Sequence, residues 1–74
     1  MAGIDLYGQD FRNLEPPQAE AKLCQQACRD DKQCLAWTFE RPSSNFKNGR
    51  CWLKNKIPTQ FAHPCCTSGI ERTQ

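Results

Sequence analysis

Six cysteines in 74 residues constrain this chain more than any other feature. A domain so short buries a modest fraction of its surface, and its core rarely supplies more than about 3–5 kcal/mol unaided. The cysteines therefore read as staples. Disulfides persist in oxidising compartments, so the expected setting is extracellular or periplasmic, that is, secreted. Four of the six lie between Leu23 and Leu53. Cys24 and Cys28 are spaced to share one face of a helix. Cys34 and Cys51 each open an apolar run that reads as a strand. Pairing Cys28 with Cys34 closes a short loop and pairing Cys24 with Cys51 a longer one, with chain-entropy contributions of about 2 and about 3.5 kcal/mol. The spacings favour this pairing, and counting alone leaves every other connectivity open.

Ten Lys and Arg against eight Asp and Glu give a net charge of +2. That balance argues against nucleic acid or an anionic membrane surface as the main partner. No apolar run approaches the length of a membrane span. Met1-Ala2-Gly3 leads straight into a strand-like segment without an export signal. A single domain over residues 1–74, cut from a larger secreted protein, is the expectation. No Asn-x-Ser/Thr sequon occurs.

Alternation over Ile4–Tyr7 predicts a short strand ended by Gly8, with Phe11 tucked back towards the core. Pro16-Pro17 delays the helix, and strong helix formers predict one from Gln18 to about Arg29. Its buried stripe is Ala21, Cys24, Ala27 and Cys28, with Leu23 at the edge; small residues there permit close approach to a sheet. Cys34–Phe39 and Arg50–Lys54 are the clearest strands, linked through an Asn48-Gly49 turn. A closing strand is expected from Cys65 to Glu71. Alternation from Cys34 puts Ala36 and Thr38 towards the helix and Leu35, Trp37 and Phe39 away from it. In the partner strand Cys51 and Leu53 face the helix, and Trp52 and Lys54 point the other way.

The run Cys24-x3-Cys28-x5-Cys34, then Leu-Ala-Trp-Thr-Phe39, then Arg50-Cys-Trp-Leu-Lys54, resembles the PAN/apple domain family. Ser68-Gly69-Ile70 matches the end of that pattern, so the resemblance covers about Ile4 to Ile70. It implies an α+β fold: a small disulfide-stapled domain in which a twisted antiparallel sheet of about five strands cradles one α-helix. It also implies the bridges Cys24–Cys51 and Cys28–Cys34, in agreement with the spacings. Many apple domains join their termini by a third bridge, and this chain has no cysteines there. Such modules bind proteins or carbohydrates within larger secreted or surface proteins and are not themselves catalytic.

Cys65-Cys66 departs from the family pattern. Adjacent cysteines cannot share one face of a regular strand. A vicinal disulfide, free thiols, or bonds outside this segment are the three outcomes, and the vicinal bridge is favoured. His63 beside this pair raises a metal site, yet the paired spacings usual for zinc are missing, so none is expected and His63 reads as a loop histidine. Redox catalysis lacks a Cys-x-x-Cys, and a single histidine offers little for a hydrolytic triad. No cofactor and no enzymatic activity are expected.

Function is therefore sought on the sheet face away from the helix. Leu35, Trp37, Phe39 and Trp52 form an apolar patch there, unless the 42–49 loop covers them. Arg41, Lys47, Arg50, Lys54 and Lys56 cluster nearby in sequence. Aromatic and Arg side chains suit binding hot spots. The candidate ligand-binding residues are Trp52, Lys54, Arg41, Lys47 and Arg50. A protein partner is preferred to a glycan because the sequence shows no paired carboxylates or amides to grip sugar hydroxyls. A carbohydrate-binding module, or a structural or dimerisation spacer in a multidomain protein, is the alternative.

Overall fold

The computed structural model describes residues 1–6, 8–57 and 60–72. Five strands and one helix follow in the order β1 (Ala2–Leu6), β2 (Asp10–Leu14), α1 (Ala21–Asp30), β3 (Ala36–Glu40), β4 (Arg50–Lys54) and β5 (Gln60–Ile70). The strands form one antiparallel sheet in the order β1-β5-β3-β4-β2, with β3 at its centre. The α+β architecture expected above is what the chain adopts.

Helix α1 starts three residues later than expected, after a turn in which the Glu20 N–H bonds the Gln18 carbonyl. Cys24 and Cys28 are its buried residues, and Ala21 and Ala27 pack beside them. Cys24 is bridged to Cys51 on β4, and Cys28 to Cys34, with Cα atoms 5.2 and 5.1 Å apart. Both spacings sit within ordinary disulfide geometry. The two bridges fasten the helix to the sheet and to the segment leading into β3.

The helix exit is held by the C-terminal residues. The Arg72 guanidinium donates to the carbonyls of Cys28 (2.9 Å), Asp31 (3.1 Å), Cys34 (2.6 Å) and Arg29 (2.5 Å). A cation there satisfies orphan carbonyls and complements the helix dipole. Glu71 alongside accepts from the Trp37 indole and from Arg29 Nε, both at 3.0 Å. Burial pushes the Glu71 carboxyl up, but hydrogen bonds from Trp37, Arg29 and Gln25 together with the Arg29 charge outweigh it and hold it below its ordinary range.

Two strands depart from the alternation argument. β2 is not among the strands read from the sequence pattern, and its apolar residues Phe11 and Leu14 stand three apart. Between Asp10 and Arg12 the register shifts: β2 advances by two residues while β4 advances only from Lys54 to Leu53. That bulge brings both Phe11 and Leu14 onto the core. The second departure is at Cys34, which lies before β3 instead of inside it. Its parity does not carry into the strand, so the expected facing of β3 is reversed. Trp37 is paired with Leu53, and Phe39 with Cys51. Opposed residues of a ladder share a face, so both rings join Cys24, Cys28, Cys34, Cys51 and Leu53 in the core under the helix. Of the expected aromatic patch the open face keeps Trp52; Trp37 and Phe39 lie in the core on the helix side, with Gly49 against the Phe39 ring and Gly69 against the Trp37 ring.

Asn48-Gly49 makes the expected turn into β4. Gly49 has φ +80°, and a Cβ there would lie 2.7 Å from the Phe39 ring, so only glycine fits. Strand β5 is longer than expected, beginning at Gln60 instead of Cys65.

Candidate functional site: a cavity on the open face

The sheet face opposite the helix carries the alternate residues of β3, β4 and β5. Thr38 is opposed by Trp52 and Ser68, Ala36 by Lys54 and Ile70, and Glu40 by Arg50 and Cys66. Above these positions is a cavity of about 510 Å³ to which all five strands contribute. Thr38 and Glu40 come from β3, Trp52 and Lys54 from β4, Asp5 from β1, Asp10 from β2, and His63, Cys65 and Cys66 from β5, with Gly8 in between. That volume lies in the range that holds small ligands or a large side chain.

The floor is a chain of polar groups. The Leu6 N–H donates to Thr38 Oγ1 (3.4 Å), the Thr38 and Ser68 hydroxyls are 2.8 Å apart, and Ser68 Oγ donates to the Ile4 carbonyl at 2.6 Å. This sequence of donors requires Thr38 to give its proton to Ser68. Both hydroxyls are thus committed, and they tie β1 across the centre of the sheet. A fully satisfied buried network of this kind fixes geometry more than it adds stability.

Lys54 is the next layer. Its side chain is 2 % exposed, and its ammonium donates to the Asp10 carboxylate and to the Gly8 carbonyl. The sequence offered Lys54 as a ligand contact in a basic cluster; the structure buries it as one half of an ion pair. Trp52 is half-buried beside it, and its indole N–H donates to Glu40 Oε1 at 3.1 Å. That bond fixes the ring as one wall.

The remaining expected ligand residues lie away from the cavity. The Arg50 guanidinium is held by Asn13 Oδ1, at 3.0 Å from Nε and 2.6 Å from Nη2, and stands 4.8 Å from the centre of the Phe46 ring. Arg41 and Lys47 are exposed. The structure thus keeps Trp52 and Lys54 together and separates Arg41, Lys47 and Arg50 from them. It adds Asp5, Asp10 and Glu40, which the sequence did not single out. Their positions depend on cross-strand register, and only Asp5, at the polar place in Ile-Asp-Leu, carries a local hint.

The His63–Cys66 segment is a bulge. From Ala2 to Ile4, β1 advances two residues while its partners on β5 run from Thr67 to Ala62, a difference of five. The extra residues let adjacent cysteines leave the strict alternation that separates them in a flat strand. Cys65 and Cys66 meet as a sulfur-bonded pair with Cα atoms 3.7 Å apart. His63, Cys65 and Cys66 place their ligand atoms within 4.8 Å of one another. While the sulfurs are bonded to each other they offer no thiolate, the form that ligates zinc. His63 Nδ1 accepts the Cys65 N–H at 3.0 Å.

A five-stranded sheet with one helix, two bridges that fasten the helix to β4 and to the segment before β3, and a lined cavity on the free face make up a small disulfide-rich α+β domain. The family model of the PAN domain matches residues 4–54, more than half of the chain, and the chain belongs to the PAN domain family. The matched span ends at β4, so the bulged strand β5 and its cysteine pair lie outside it. Comparisons with curated proteins and with solved structures find no match.

Proposed function

We propose that this PAN domain is a non-catalytic, extracellular binding module of a larger secreted protein, and that it holds a protein partner at the cavity around Trp52. The observation that carries this reading is the division of labour between the two sheet faces. Both family bridges and the aromatic core lie on the helix side. The other side presents an indole and carboxylates around a cavity in place of a solvated surface.

The groups in the cavity support binding over catalysis. The hydroxyls of Thr38 and Ser68 are bonded to each other, and His63 Nδ1 already accepts a backbone N–H. No nucleophile stands beside a free base among the described residues, as acyl transfer would need. The disulfides favour an oxidising compartment. No described helix is long and apolar enough to cross a membrane.

One observation favours a glycan as the second reading. Asp5, Asp10 and Glu40 now stand around an indole, which removes the earlier objection that no carboxylates are paired. A peptide library displayed on phage and a glycan array, each probed with the domain and with Trp52→Ala, separate the readings. Selected peptides that lose binding to the alanine variant are expected. Tight array binding lost in that variant, with no peptide selected, would overturn the protein-partner reading.

A further inference from the structure

We infer that the cavity is a seat for a cationic side chain, a lysine or arginine presented by the protein partner; the inference rests on the binding-module reading above. The charge distribution is the starting point. Three carboxylates (Asp5, Asp10 and Glu40) line the cavity against one ammonium, Lys54, which leaves a formal charge of −2. The whole chain carries +2, so the rest of the domain carries +4. The cavity is the negative depression on an otherwise basic domain, and such a concave spot concentrates counter-charge.

The local bonds show which negative charge is available. The Asp10 carboxylate is taken by Lys54. Asp5 and Glu40 have no ion-pair partner among the described residues, where the pairs are Arg12–Asp31, Lys22–Glu20, Arg29–Glu71 and Lys54–Asp10. Glu40 receives the Trp52 indole N–H on one oxygen, and its other oxygen has no donor among the described residues. Both carboxylates are half-buried, as is Trp52, so water screens them less than it would a fully exposed group.

The shape selects a side chain over a bare ion. A cavity of about 510 Å³ far exceeds what one ion fills, and its indole wall suits an alkyl stem. A lysine or arginine brings both parts: a stem to lie along Trp52, and a head to reach Glu40 and Asp5. Cation–aromatic attraction and charge-assisted hydrogen bonds would then act on the same head group. Lys54 does not oppose this, because its charge is balanced by Asp10 and its donors are turned to that carboxylate and to Gly8.

The test titrates the domain with Nα-acetyl-lysine N-methylamide and, separately, with the uncharged norleucine analogue, following the Trp52 indole resonance by NMR at low and high salt. The lysine probe is expected to shift that resonance saturably, to bind at least about tenfold more tightly than norleucine, and to weaken as salt rises. Asp5→Asn and Glu40→Gln are each expected to weaken it several-fold. Equal response to the two probes in the wild-type domain overturns the inference, whatever the variants do. Phage-selected peptides that require Trp52 but lack basic residues also overturn it while leaving the protein-partner reading in place. Binding of methyl glycosides with no peptide selected would remove both.

Discussion

The Lys54–Asp10 pair offers a test of how the cavity floor is built, because the two partners should not be equivalent. Asp10→Asn keeps the side-chain shape but removes the charge facing an ammonium that is 2 % exposed, leaving it the amide oxygen and the Gly8 carbonyl. Breaking a fully buried ion pair from one side costs about 3–5 kcal/mol. Asp10 is itself 34 % exposed, so solvent already screens part of the attraction and about 2–3 kcal/mol is expected. Lys54→Met keeps the stem packed, and the freed Asp10 carboxylate can be hydrated, so its cost should be about 0–1 kcal/mol. The double variant should resemble Lys54→Met, since no buried cation is left to strand. For a domain of this size about 2–3 kcal/mol corresponds to a fall in Tm of roughly 10–20 °C. Urea unfolding followed by tryptophan fluorescence, with disulfides intact and m-values compared, measures the three differences. Costs for the two single variants within about 0.5 kcal/mol of each other would refute the asymmetry, and with it the assignment of Lys54 as a structural floor.

Removing the bridges should rank by loop length: Cys24→Ala/Cys51→Ala should cost about 3.5 kcal/mol and Cys28→Ala/Cys34→Ala about 2 kcal/mol in denaturant unfolding. Alkylation of the native, unreduced chain should add no mass, and two alkylated thiols per chain would defeat the vicinal pairing of Cys65 with Cys66. Gly69→Ala should lose about 1–3 kcal/mol and disturb the near-ultraviolet signal of tryptophan, because the new Cβ would lie 2.6 Å from the Trp37 ring. Glu71 titrates below its ordinary range in the fold, so the native state binds fewer protons than the unfolded one there. Its stabilisation is present above the unfolded value and is lost as pH falls through the folded one. Stability measured from about pH 6 down to about pH 2.5 should therefore fall less steeply in Glu71→Gln than in the wild type.

Much of the scaffold was legible because covalent and periodic signals agree on it. The four-residue spacing of Cys24 and Cys28 fixed one helix face, and Arg50–Lys54 alternates as a strand should, so both bridges and β4 stand where the spacings put them. Two irregularities were not legible. The bulge in β2 gives Phe11 and Leu14 a spacing that belongs to no regular strand. The clasp of Glu71 and Arg72 on the helix exit joins residues more than thirty positions apart through side-chain and backbone bonds. Neither has a local pattern to read.

The parity error at Cys34 explains why the site was sought among the wrong residues. A helix face made of Ala21, Cys24, Ala27 and Cys28 supplies little volume, so the sheet must supply it, and Trp37 and Phe39 do. Small residues on both sides would have left a void, and close packing argues against that. Turning the rings inward leaves Thr38, Glu40, Lys54 and Ser68 on the open face. There they are neither apolar, as a second core would require, nor exposed, as a solvated face would be. Thr38, Lys54 and Ser68 have their hydrogen bonds met from within. Asp5 and Glu40 line the same cavity without an ion-pair partner among the described residues, and Glu40 holds the indole in place. Both are half-buried, and a cation delivered by a partner is the group that their charge would attract.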